Sequence, residues 1–175
     1  MRRLLLLRHA KAERAKPNGR DRDRVLEDRG RADARKIGRY LARHGLVPDR
    51  ALVSPSARTR ETWALAAEAF DRPPAASFED DIYESSPQAI LQTIQAGGAG
   101  ARTLLVVGHN PSMQELAALL IAAGDVEERR RLNEDFPTSA LAVIGLAAGD
   151  WHGLRAHAGR LEHFVTPRLL QTATD

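Results

Sequence analysis

Leu4-Leu5-Leu6-Leu7-Arg8-His9-Ala10-Lys11 is the stretch that decides how this chain is read. Four consecutive leucines make an apolar run of strand length that is hydrophobic on both faces a strand presents. Such a run belongs near the centre of a parallel sheet covered on both sides. It ends abruptly in a cation and an imidazole. A central strand delivers those side chains to the carboxyl rim of the sheet, where ligands bind in open α/β folds. An arginine beside a histidine makes poor core and a good anion site. His9 is therefore a candidate nucleophile and Arg8 a candidate phosphate clamp.

Working outward, Thr103 to Val107 is a second strand of the same kind, and it ends in Gly108-His109-Asn110-Pro111. Parallel strands put His109 on the rim that holds His9. A shorter strand, Ala51 to Val53, ends at Ser54-Pro55. The next helix, from about Ser56 to Phe70, carries Arg58 and Arg60 in its first turns. Its N-terminal N–H groups favour an anion at the same rim. Residues 11–26 are a polar loop. Asp28 is read as the cap of a helix reaching His44, with Gly45 beyond it as the C-terminal glycine. Ala76 to Phe78 reads as an edge strand, and Ser86-Pro87 as the capped start of a helix to about Gln95. Met113, Leu116, Ala117, Leu120 and Ile121 share one face of a further helix, and residues 125–135 are a charged short helix or loop. Ala140 to Leu146 is read as a strand, Ala148-Gly149-Asp150 as a turn and Trp151 to His157 as its hairpin partner. No element is assigned from Gly159 on. Alternating strands and helices predict a three-layer α/β/α sandwich with a mostly parallel central sheet and an antiparallel edge.

Bulk properties narrow the function. The 175 residues are the length of one domain able to bury a real core, and 43% hydrophobic with 28% charged residues is ordinary for a folded protein. No apolar run approaches the roughly 18 residues of a membrane span. The leucine run is too short for a signal peptide and lacks a small-residue cleavage site, so a cytoplasmic protein is expected. With no cysteine, disulfides, thiol catalysis and thiolate metal sites are excluded. Net charge is only +3, and the arginines stand in mixed-sign runs such as Arg20-Asp21-Arg22-Asp23-Arg24. Those runs read as solvated faces. Aromatic residues, at 5%, are too few to stack bases. Neither a nucleic-acid nor a membrane partner is expected, and no metal cluster or other cofactor is called for.

Two histidines, arginines and a helix N-terminus at one rim suit a phosphoryl group, whose oxygens match planar cations. A histidine nucleophile splits one displacement into two through a phosphohistidine. The leaving group then needs a proton, and Glu84, between Ile82-Tyr83 and the helix at Pro87, is the candidate acid, with Asp80 and Asp81 as competitors. Lys11 and Asn110 are candidates for lining the pocket.

These residues resemble the histidine phosphatase superfamily, of the phosphoglycerate mutase-like fold. Leu7-Arg8-His9-Ala10 is similar to its signature, with Ala10 where glycine is usual. Ser54-Pro55-Ser56-Ala57-Arg58-Thr59-Arg60-Glu61-Thr62 is similar to its Ser-Pro segment, and the resemblance selects Arg58 over Arg60 as the second phosphate ligand. Glu84 matches the acidic proton donor, and Gly108-His109 the second catalytic histidine. Within the superfamily the chain most resembles the small SixA-type phosphohistidine phosphatases, through its shortness, Arg8-His9-Ala10-Lys11-Ala12, Arg24…Leu26…Gly30 and Gly108-His109-Asn110-Pro111; Val25 and Glu27 depart from that subgroup. The resemblance implies a single histidine phosphatase domain over 1–175 that is metal-independent and acts on a phosphorylated histidine-containing protein. Two rivals stand beside it: a small phosphate ester (sugar or nucleotide phosphate) as substrate, or a phospho-ligand-binding module without turnover. Mutase activity is disfavoured by the lack of inserted segments. Arg43-His44-Gly45 spells the family tripeptide, but it ends a helix and has no strand before it, so it is read as a helix terminus.

Overall fold

The structure is a computed structural model and describes residues 1–147 and 149–172. Strand β1 (Arg2–Arg8) buries its four leucines completely. Alternation along the strand sends Leu5 and Leu7 to one face, where they share a cluster with Ile37 and Leu41 of helix α1 (Asp28–Arg43) and Trp63 of α2 (Ala57–Ala67). Leu4 and Leu6 point the other way. They join Ile90 and Ile94 of α3 (Pro87–Gly97), Leu116 and Leu120 of α4 (Ser112–Leu120), and Leu132 of α5 (Val126–Glu134). A strand apolar on both faces needs helices on both faces, and the three-layer sandwich is the result.

The remaining strands are β2 (Arg50–Val53), β3 (Ala76–Phe78), β4 (Thr103–Gly108), β5 (Ile121–Gly124), β6 (Leu141–Leu146) and β7 (Gly159–Val165). A last helix, α6, covers Pro167–Thr172. The seven strands form one sheet in the order β3-β2-β4-β1-β6-β7-β5. Every pairing is parallel except those of β6, which runs against both β1 and β7. The reversed strand thus lies inside the sheet, and β7 and β5 beyond it run with β1. What matters for function is that β2, β4 and β1 are neighbours whose carboxyl ends are level. Val53 pairs with Val107, and Arg8 with Gly108.

Most local signals act as read. Ser86 accepts a hydrogen bond from Ala89 N at 3.1 Å with Pro87 in the first turn of α3, and Gly45 adopts φ 67 just past α1. Gly30 is set by packing: a Cβ there would lie 2.1 Å from the Lys11 carbonyl oxygen. That contact lets α1 press against the backbone just beyond His9.

Three expectations are corrected. Asp28 is not the cap of α1; Glu27 holds that position, and Asp28 in the first turn pairs with Arg31 at 2.8 Å. Ile121 leaves the helix and opens β5, because pairing with β7 overrides the helical propensity of Ile121-Ala122-Ala123. The hairpin partner of β6 is Gly159–Val165 and not Trp151–His157. Trp151 instead begins a short 3-10 turn, buried and donating from Nε1 to the Ala101 carbonyl at 2.8 Å. The true partner escapes a period-two reading because a bulge opposite Val143 and Ile144 breaks its alternation. The expected turn at 148–150 includes Ala148, which lies outside the described residues.

Candidate active site

The site grows from the level strand ends. His9 and His109 each come directly after a residue of the Arg8–Gly108 pair, so they project from neighbouring strands, spaced about 4.8 Å apart in any sheet. Their ring centroids are 5.3 Å apart. The His9 backbone is pinned on two sides, its N–H donating to the Gly108 carbonyl and its carbonyl accepting from Ser139 N, both at 3.0 Å. Its neighbour Ala10 donates from N to Thr62 Oγ1 of α2 at 3.0 Å.

His9 is 7% exposed, and its Nδ1 lies 2.7 Å from the Ala10 carbonyl oxygen. A carbonyl only accepts, so this contact assigns the proton to Nδ1 and leaves the Nε2 lone pair free. Burial pushes the imidazole down to about 4, aided by the charges of Arg58, Arg8 and Arg24 and opposed by the Ala10 hydrogen bond. His109 is pushed down to about 3, again chiefly by burial and then by Arg58 and His9. Both rings are neutral at pH 7. Nε2 of His109 meets Ser54 Oγ at 2.7 Å, at the end of β2.

Arginines frame the pair. Arg8 donates from Nη1 to the Phe136 carbonyl at 3.0 Å, in the loop that leads into β6. Arg58, 6% exposed, stands in the first turn of α2, whose cap Ser56 accepts from Thr59 N. It donates from Nη1 to the Asp21 carbonyl at 2.9 Å and from Nη2 to Asp21 Oδ2 at 3.1 Å. Arg8 Nε, Arg58 Nε and His109 Nδ1 are buried and without a hydrogen-bond partner. Buried polar groups left unpaired are costly. All three belong to residues that surround the His9 ring, a setting that suits an anion. Arg60 turns away, exposed, with its guanidinium 4.0 Å over the Phe78 ring.

The other sequence candidates are less engaged. Glu84 sits in the turn after Tyr83 with φ 48, exposed and without a hydrogen bond or ion pair to the described residues. Its neighbour Tyr83 is the inward-facing one, edge-on to the His109 ring at 5.5 Å. Asp80 pairs with Arg22 at 3.6 Å. The Asn110 amide is committed to structure, donating to the Phe136 carbonyl at 2.9 Å and accepting from Gln114 N at 3.3 Å. Lys11 is exposed, 3.9 Å from Glu27, and lines a cleft of about 540 Å³ beside the site, between α1, the loop before β6 and α6. Neither imidazole lines that cleft. Among the described residues no group of three or more His, Cys, Asp or Glu side chains could hold a metal.

Comparison with known proteins agrees with this arrangement. Residues 4–87 match the histidine phosphatase superfamily (branch 1). The uncharacterized protein Rv1276c of Mycobacterium tuberculosis is 36% identical over 165 residues, covering 93% of this chain and all of the relative. The crystal structure of the SixA protein of Agrobacterium tumefaciens is 32% identical and superposes with a TM-score of 0.80, covering 95% of this chain and 98% of that one. The chain belongs to the histidine phosphatase superfamily. Its fold is accordingly phosphoglycerate mutase-like, and it is a phosphatase. Mycobacterial glucosyl-3-phosphoglycerate phosphatase Rv2419c, at 16% identity and a TM-score of 0.62 over 93% of this chain and 98% of that one, shares the fold.

In this histidine phosphatase the sequence alone assigns no site role to Asp21, Tyr83, Arg24 or the Phe136 carbonyl. Asp21 lies in a mixed-sign run that reads as a solvated face, yet its carboxylate is held far below the usual range by Tyr83, Arg24 and Arg58. Tyr83 sits next to the acid that drew attention. Ser54 was within reach, since it opens the Ser-Pro segment.

Proposed function

We propose that this phosphatase works through a phosphohistidine on His9 and hydrolyses phosphohistidine carried by a partner protein in the cytoplasm, as one domain over residues 1–175 and without a metal. The observation that carries the proposal is the state of His9: neutral, its proton fixed on Nδ1 by the Ala10 carbonyl, its Nε2 free and the charges of Arg58 and Arg8 acting on the ring. Nε2 attacks phosphorus, and a P–N bond forms as the bond to the leaving imidazole nitrogen breaks. Arg8, Arg58 and His109 hold the phosphoryl oxygens, which is where such transfers gain most of their stabilisation. For His109 this requires the Ser54 hydroxyl to donate to Nε2, so that Nδ1 carries the proton. Glu84 gives a proton to the leaving nitrogen. Water then attacks phospho-His9 while its proton passes to Glu84, and inorganic phosphate leaves with the His9 imidazole restored. The arginine charges around the two imidazoles also repel a metal cation, which favours chemistry without one.

A protein substrate is supported by the connections over this rim. Those after β2 and β4 are only Ser54–Ser56 and His109–Pro111, too short to cap the site, and the part of the rim that the longer segment after β1 leaves uncovered can meet a protein surface. The likeness to SixA proteins, named phosphohistidine phosphatases, supports the same substrate. The rival, a small phosphate ester, is favoured by the neighbouring 540 Å³ cleft, which is of ligand size. Comparing kcat/KM on a phosphorylated histidine phosphotransfer protein and on a panel of sugar and nucleotide phosphates decides the substrate. Higher values on the protein are expected, and the reverse order overturns that part. For the mechanism, rapid quenching at alkaline pH, where phosphohistidine survives, should trap a labelled enzyme that His9→Ala does not give. Full turnover in His9→Ala would end it.

A further inference from the structure

We infer that Asp21 is the positioning residue of the phosphoryl site: its carboxylate and carbonyl grip the Arg58 guanidinium and so hold it in one rotamer beside the two imidazoles. The inference rests on the reading of Arg58 as a phosphate ligand. An arginine has a planar fork with three nitrogens and five donors. In this structure Nη1 and Nη2 each give one donor to Asp21, at 2.9 and 3.1 Å, and Nε is buried without a partner. Two of the five donors are thus committed to one residue, which fixes the plane and direction of the fork. Holding a long, flexible cation in one rotamer ahead of binding removes an ordering cost from the binding step.

Asp21 is itself overdetermined, as a part used for aiming must be. Oδ2 also accepts from Tyr83 Oη at 2.6 Å, and Oδ1 from Arg24 Nη1 at 3.0 Å. Tyr83 in turn stands edge-on to His109. One carboxylate thus links three segments around the anion site: the 3-10 turn at Asp21–Asp23, α2 and the turn after β3. The long segment between His9 and α1 is closed at its base. Ala12 bridges Leu26, Glu13 N donates to the Val25 carbonyl at 2.8 Å, and Arg24 Nε donates to the Glu13 carbonyl at 2.8 Å.

A carboxylate beside an anion site also repels the anion. The competing role for Asp21 is to occupy Arg58 until phosphate displaces it. The geometry argues for aiming. Asp21 takes only two of the five Arg58 donors and is itself held by Tyr83 and Arg24, so an anion can meet Arg58 without displacing it.

The test is a double-mutant cycle of Asp21 and Arg58, read as kcat/KM on p-nitrophenyl phosphate and as inhibition by inorganic phosphate. Asp21→Ala should lower kcat/KM by on the order of tenfold to a hundredfold and weaken phosphate inhibition. Asp21→Asn, which keeps the backbone carbonyl and a side-chain acceptor, should lose less. In an Arg58→Ala background either change should have almost no further effect, whereas a merely structural role would subtract the same amount again. Tighter phosphate inhibition in Asp21→Asn, or additive losses, overturns the inference. An Arg58→Ala enzyme with unchanged kcat/KM would instead overturn the reading of Arg58 on which it rests.

Discussion

Arg8-His9 and Arg43-His44 are the same dipeptide in two settings. The first ends a buried central strand, with His9 7% exposed and its imidazole 5.3 Å from a second imidazole. The second ends helix α1 in solvent, where His44 donates from Nδ1 to the Tyr40 carbonyl at 2.9 Å and stacks on the Tyr40 ring at 4.1 Å. Both rings use Nδ1 on a backbone carbonyl, so the local hydrogen bond does not tell them apart. The surroundings do. His9 has arginines and His109 around it, and its basicity is pushed down to about 4. His44 has a helix end, whose partial negative charge complements basic residues. Identical side chains become a reactive pair or a helix terminus according to the element that carries them.

The comparison can be broken most sharply at His9. His9→Ala should reduce turnover by roughly 10⁴-fold or more, as loss of a nucleophile does. Steady-state assay beside His44→Ala, which should match the parent, checks it; comparable losses in the two variants would dissolve the distinction. Next in size, His109→Ala and Arg58→Ala should each cost on the order of 10²- to 10³-fold in kcat through lost stabilisation of the transferring group. A loss confined to KM would mean that these groups bind substrate and transition state equally.

The third effect is in pH. Because His9 is pushed down to about 4, the acid limb of kcat/KM should fall near pH 4 and not near the ordinary histidine value of about 6.5. Stability has a matching sign. His9 and His109 are neutral in the fold and protonate in the unfolded chain, so stability is unaffected above about pH 6.5 and declines as pH drops from there toward 4. Urea unfolding across that window checks it, and replacing both histidines should flatten the decline. The smallest expected change is from Ser54→Ala, about tenfold in kcat, because it frees His109 Nε2 without removing the ring.

Much of this was legible in the sequence because the informative residues are local to strands that are apolar on both faces. Leu4 to Leu7 and Leu104 to Val107 require burial on both sides, and the residues immediately after each run must emerge at the rim. Ser54 and Arg58 come after a strand and open a helix for the same reason. Glu84 illustrates the limit. Its position in sequence suggests an acid, but only the structure shows the turn, with φ 48 at Glu84, that leaves its side chain exposed and sets Tyr83 against His109. Strand β7 was hidden by a bulge, and β5 by residues that favour a helix until a neighbouring strand pairs with them.

The sequence by itself determined the sandwich, the two strands that present histidines, and the distinction between Arg8-His9 and Arg43-His44. These depend on periodicity and on the residues that end each apolar run. Tertiary structure alone decided that β1 and β4 are neighbours in register, which sets the two imidazoles 5.3 Å apart, and that Asp21 meets Arg58 from 37 residues away. Strand order and loop closure are settled by packing over the whole sheet, and no window of sequence carries them.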